Sequence, residues 1–100
     1  MKPQDKEQVL DEIVAHMKLN DGKYSNWYCG ITSDWVNRLF DDHQVPKKNH
    51  PYIARQCYNN DDARVVESAL LELGCDGAPG GGDETTVYVY AYLKGTTTKP

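Results

Sequence analysis

Apolar positions recur along the chain with two periods, and the switches between them divide it into elements. Leu10, Ile13, Val14 and Met17 keep helical spacing and predict an amphipathic helix over residues 3–19, closed by Asn20-Asp21-Gly22. The aromatic and β-branched residues of 23–32 favour a strand, with Trp27, Cys29 and Ile31 on one face and Tyr28, Gly30 and Thr32 on the other. Ser33 or Asp34 then suits the cap of a helix carrying Trp35, Val36, Leu39 and Phe40, which ends near His43, ahead of Pro46. Residues 44–51 are polar and broken by prolines, a surface loop, and 52–58 predicts a second strand. Asn59-Asn60-Asp61-Asp62 opens a helix over 63–73, whose stripe is Val66, Leu70 and Leu73 and whose stop is Gly74.

The glycines within 76–84 predict a mobile connection, and 85–94 is the clearest strand, alternating Val87, Val89, Ala91 and Leu93 with Tyr88, Tyr90 and Tyr92. The expected fold class is α+β: a small, mainly antiparallel three-stranded sheet flanked by three helices. A single domain spans 1–100, with 1–22 as an N-terminal helical extension, 23–94 as the core and 95–100 as a flexible tail.

Composition narrows the partners. A chain of 100 residues supports one core with little surplus, hiding ~60–65% of its unfolded surface. The polar start and the lack of any long apolar run leave no membrane role, and the expected location is cytoplasmic. Cys29, Cys57 and Cys75 are odd in number and widely separated, so reduced and mostly buried thiols are expected instead of a disulfide framework or a zinc ribbon. A formal charge of −4 argues against a protein that coats nucleic acid, but a local basic cleft from Arg38, Lys47, Lys48, His50 and Arg55 remains compatible with it.

The candidate chemistry lies where the first strand meets its helix. Tyr28-Cys29-Gly30-Ile31-Thr32, followed by Asp34, Trp35 and Arg38, puts a tyrosine and a glycine on one strand face and a guanidinium just inside the next element. Ala63-Arg64-Val65-Val66-Glu67 then places a carboxylate on a second helix, at the edge of its apolar stripe. Together these segments, over roughly residues 23–73, resemble the GIY-YIG nuclease family. There a Tyr-Ile-Gly strand end is followed eight residues after its glycine by an arginine, the interval from Gly30 to Arg38.

The resemblance implies an endonuclease hydrolysing DNA phosphodiester bonds with Mg2+ or Mn2+. Glu67 would be the metal ligand, Arg38 would bind the phosphate with Lys47 and Lys48 beside it, Tyr28 would line the active site, and Gly30 would ease the strand-to-helix turn. His43 would be a proton carrier, but it follows Arg38 by five residues where many relatives have four. On a regular helix of ~3.6 residues per turn that extra residue rotates it by about 100°. The family's first strand, which bears Gly-Ile-Tyr and a catalytic tyrosine, has no match before Tyr28. The C-terminal strand is expected to pair beside the Tyr28 strand and take its place, as in a circular permutation, with Tyr88 or Tyr90 restoring the hydroxyl. DNA, branched or single-stranded forms included, is the expected partner, with specificity supplied by a protein partner or by dimerisation. The rival expectation is a degenerate, non-catalytic module that binds nucleic acid or protein. A third expectation is an unrelated small α+β interaction domain whose matches are accidental. The bland readings are that the tyrosine stripe serves strand propensity and that Arg38 is an ordinary solvated or salt-bridged side chain.

Overall fold

The computed structural model describes residues 1–80 and 82–100. The chain runs β1 (Pro3–Gln4), α1 (Lys6–Asn20), a short 3₁₀ turn (Tyr24–Asn26), β2 (Trp27–Thr32), a π-helical segment (Asn37–Asp42), β3 (Tyr52–Cys57), α2 (Asn60–Leu73) and β4 (Tyr88–Leu93). The fold is α+β. Its sheet has four strands in the order β1-β3-β4-β2, one more than expected. The addition is β1, where Pro3 and Gln4 pair in parallel with Gln56 and Cys57. The helix predicted from residue 3 therefore starts later, at an Asp5 cap whose side chain accepts a hydrogen bond from the Glu7 amide.

The last strand is central. β4 pairs antiparallel with β2 on one side, Gly30 opposite Tyr90, and antiparallel with β3 on the other, Ala54 opposite Tyr90. Strand alternation divides β4 between two layers. Val89 and Ala91 join Val9, Ile13, Met17, Trp27, Val66 and Leu70 in a core under α1 and α2. Tyr90 and Tyr92 turn to the opposite face, where Leu39, Val45 and Ala54 cover them together with Tyr28, Trp35, Phe40 and Tyr52. All three cysteines are free and buried.

The two α-helices end as their sequences direct. The Asn59 side chain caps α2 by accepting from the Asp62 amide at 2.8 Å, and Gly74 closes it with φ of +116°. Asp76 then runs along the outer edge of β2: its amide donates to the Trp27 carbonyl at 2.8 Å, and its carbonyl accepts from the Cys29 amide at 2.9 Å. This short parallel bridge carries the glycine-containing connection past the edge of the sheet.

The segment 95–100, expected as a flexible tail, has a place in the fold. Thr98 is buried, and the Lys99 amide donates to the His43 carbonyl at 2.7 Å. The N-terminal helix packs its apolar face on the domain, with Val9, Ile13 and Met17 wholly buried against the sheet and α2. Replacing Ile13 with Ala should therefore cost about 2–5 kcal/mol of unfolding free energy in urea titrations. An accessory helix would give a change close to zero.

Candidate functional site

A cleft of about 230 Å³ opens at the β2 edge of the sheet, lined by Tyr28, Gly30, Arg38, Glu67 and Tyr90 among others. These residues come from β2, the π-helical segment, α2 and β4. Ala78, Gly80, Gly82 and Thr86, from the connection between α2 and β4, form the remaining wall. Gly30, expected to ease a strand-to-helix turn, lies inside β2 and does something else. A Cβ there would stand 2.5 Å from the Tyr90 hydroxyl oxygen and 2.7 Å from its ring carbon Cζ. The missing side chain is the space the phenol occupies.

His43 does not line the cleft but stands directly behind it. The segment before it is π-helical where a regular helix was expected. The His43 amide donates to the carbonyl of Arg38, five residues back, at 3.0 Å, and this wider turn brings the ring against the sheet. His43 Nδ1 lies 2.7 Å from the Lys99 carbonyl oxygen and Nε2 lies 2.8 Å from the Tyr90 hydroxyl. A carbonyl can only accept, so in the neutral ring Nδ1 carries the hydrogen and Nε2 the lone pair. The Tyr90 O–H therefore donates to Nε2. Tyr92, whose hydroxyl is 3.1 Å from Nδ1, and Tyr28, whose ring centroid is 4.8 Å from that of His43, enclose the imidazole.

Burial shapes the electrostatics. It holds His43 below its ordinary value of 6.5, partly offset by the Lys99 hydrogen bond, so the ring is neutral at pH 7. It pushes the Tyr28 and Tyr90 phenols up, while the Arg38 charge pulls both partway back. Glu67 is only 4% exposed, and its carboxyl is pushed above 4.5 by burial, against the pull of Arg64. No side chain among the described residues donates a hydrogen bond to it. Arg38 is about half exposed and has one loose partner, Asp42 at 3.6 Å, a pair worth little at a surface.

An unpartnered, nearly buried carboxylate at a cleft wall suits a divalent cation. No group of three or more His, Cys, Asp or Glu side chains gathers among the described residues. A magnesium or manganese ion here would accordingly depend on Glu67, water and ligand oxygens.

Three expected residues lie elsewhere. Tyr88 shares the Tyr90 face but pairs with Thr32 and Gln56 at the far end of β4 and does not line the cleft. Lys47 and Lys48 also lie outside the lining, and the Lys47 ammonium sits 5.4 Å from the Phe40 ring centroid. Conversely, Lys99 carries no sequence signal, because it acts through a backbone oxygen. Tyr92 was legible only as a member of the alternating stripe.

Two measurements follow from this geometry. Nitrogen-15 NMR of the imidazole should find His43 with Nδ1 protonated, and Gly30→Ala should move the Nε2 resonance by driving the Tyr90 phenol away. Glu67→Gln should stabilise the protein at pH 7. The raised carboxyl contributes its full stability below the unfolded value of 4.5 and loses it as pH rises through the folded one, so the gap between the Tm values of the two proteins should close on acidification. Against known proteins, no family model, no curated sequence and no solved structure matches this chain.

Proposed function

We propose that this chain is a metal-dependent endonuclease domain of the GIY-YIG type that hydrolyses DNA, its C-terminal strand β4 filling the position of the family's first strand. One observation carries the reading. Tyr28, Arg38 and Glu67, singled out in the sequence by the family resemblance, line a single cleft, and Tyr90 joins them from the strand expected to supply the absent tyrosine. An accidental match gives no reason for residues from four separate segments to converge.

The residues divide the work as hydrolysis requires. Arg38 offers a planar, permanently charged fork to the phosphate oxygens. A magnesium or manganese ion held at Glu67 would neutralise charge on the phosphoryl group. Tyr90 takes a proton from the attacking water as its own passes to His43 Nε2, 2.8 Å away, leaving a phenol and an imidazolium. The new bond from water oxygen to phosphorus forms as the bond to the leaving oxygen breaks, and that oxygen takes a proton from solvent. Tyr28 closes the side of the cleft next to the imidazole. Because His43 must be neutral to accept, the rate falls as pH drops through its lowered pKa.

The net charge of −4, with Lys47 and Lys48 away from the cleft, favours a second reading, a module of this type that binds without cutting. The deciding experiment incubates the protein with end-labelled single-stranded, duplex and branched DNA in Mn2+. Cleavage that falls at least 100-fold in Glu67→Gln and in Arg38→Ala, with both variants folded, is the expected result, in line with ~10²–10³ for loss of one charge-stabilising group. Binding of any of these DNAs without cleavage would transfer the assignment to the non-catalytic module.

A further inference from the structure

The cleft continues beyond the reach of a single phosphate. A second concavity of about 270 Å³, lined by Arg64, Glu67, Ser68, Pro79 and Gly80, shares Glu67 and Gly80 with the first. Arg64, Glu67 and Ser68 stand at i, i+3 and i+4 on α2, which puts all three on one helix face. Arg64 and Ser68 are exposed, and Arg64 makes no salt bridge among the described residues, although Glu67 is close enough for its charge to be felt. Two guanidiniums, Arg38 and Arg64, thus border the two halves of one groove, with the unpartnered Glu67 common to both.

We propose that Arg64 and the Ser68 hydroxyl form a second phosphate subsite, which holds the phosphate next in line to the one bound by Arg38, so that the groove takes one nucleic-acid strand as two consecutive phosphates. The inference rests on the phosphodiester reading of the cleft. Its chemistry is specific to a strand. Arg64 supplies a fork for phosphate oxygens, Ser68 supplies an O–H donor, and the wall at Pro79 and Gly80 has no side-chain charge to oppose a polyanion. Base identity has no reader in this half of the groove, so the subsite gives strand register and not sequence preference. Glu67, between the two positions, repels both phosphates unless a cation stands at its carboxylate. This ties occupancy of the subsite to divalent ions.

The test compares two dinucleotides that differ by one phosphate, dTpdT and its 5′-phosphorylated form pdTpdT, titrated in Mg2+ and followed by amide NMR shifts. Wild type should bind pdTpdT about tenfold more tightly, with Arg64 and Ser68 shifting only for that ligand. Arg64→Ala should abolish the difference between the two ligands, and Lys47→Ala, which removes the same charge outside the cleft, should preserve it. If dTpdT shifts Tyr28 and Arg38 but Arg64→Ala leaves the tenfold preference intact, the second subsite is overturned and the phosphodiester cleft stands. If neither dinucleotide shifts any cleft residue, both fall.

Discussion

Tyr90 occupies the space above Gly30, and the site is arranged around that contact. The two residues face each other across β2 and β4, and because Gly30 has no Cβ the phenol can lie over the strand and bring its hydroxyl to the cleft wall. From there it reaches back to His43, which is in turn fixed by the Lys99 carbonyl. Any side chain at position 30 pushes the ring, and with it the hydrogen bond that keeps the imidazole and the cleft in register. A backbone-to-ring approach of this kind also explains why a glycine, normally a poor strand residue, sits within β2 without weakening it: the aromatic supplies the contacts that a side chain would have made.

The order of the strands accounts for the tail. Since β4, one of the two inner strands, is the last strand among the described residues, the residues after it emerge at the end of the sheet beside the π-helical segment, and a few more residues suffice to bring Lys99 against His43. Had the same central strand come first, a helix or loop would have had to supply that acceptor. The π-turn solves a related problem within its own segment. The five-residue turn from Arg38 to His43 lets Arg38 line the cleft while His43 packs behind it against the sheet.

Most of the elements were legible because their signals are local. The tyrosine and valine alternation marked β4, the Asn59 cap and Gly74 bounded α2, and the predicted Trp27, Cys29 and Ile31 face of β2 lies on the larger core while Tyr28 joins the opposite cluster. The convergence of Tyr28, Arg38 and Glu67 was expected only through the family resemblance, because spacing within separate elements says nothing of how those elements pack. What escaped was set by tertiary context. β1 is too short to show a period, and a proline beside a helix start reads as part of that helix. The widened turn has no propensity signature, and the Lys99 contact uses an atom every residue possesses. Lys47 and Lys48 were misplaced because nearness in sequence stood in for nearness in space, whereas Arg64, a helical turn from Glu67, sat in plain view.

The charges in the cleft explain why its two ligands belong together under the proposed function. Ionised Glu67 has no side-chain donor among the described residues, so a phosphate entering alone would meet a like charge; at ~4 Å and an effective dielectric near 20 this repulsion is about 4 kcal/mol, enough to cancel most of what one arginine offers. A divalent cation entering alone finds one carboxylate and must keep most of its water. Each ligand removes the obstacle to the other: the cation turns Glu67 from a repulsive into a bridging group, and the phosphate supplies the oxygens the cation lacks. Linkage requires that this help be mutual and equal in free energy. Weak binding of either component by itself is therefore what this cleft should show, and the raised carboxyl of Glu67 is the cost the fold bears while both are absent.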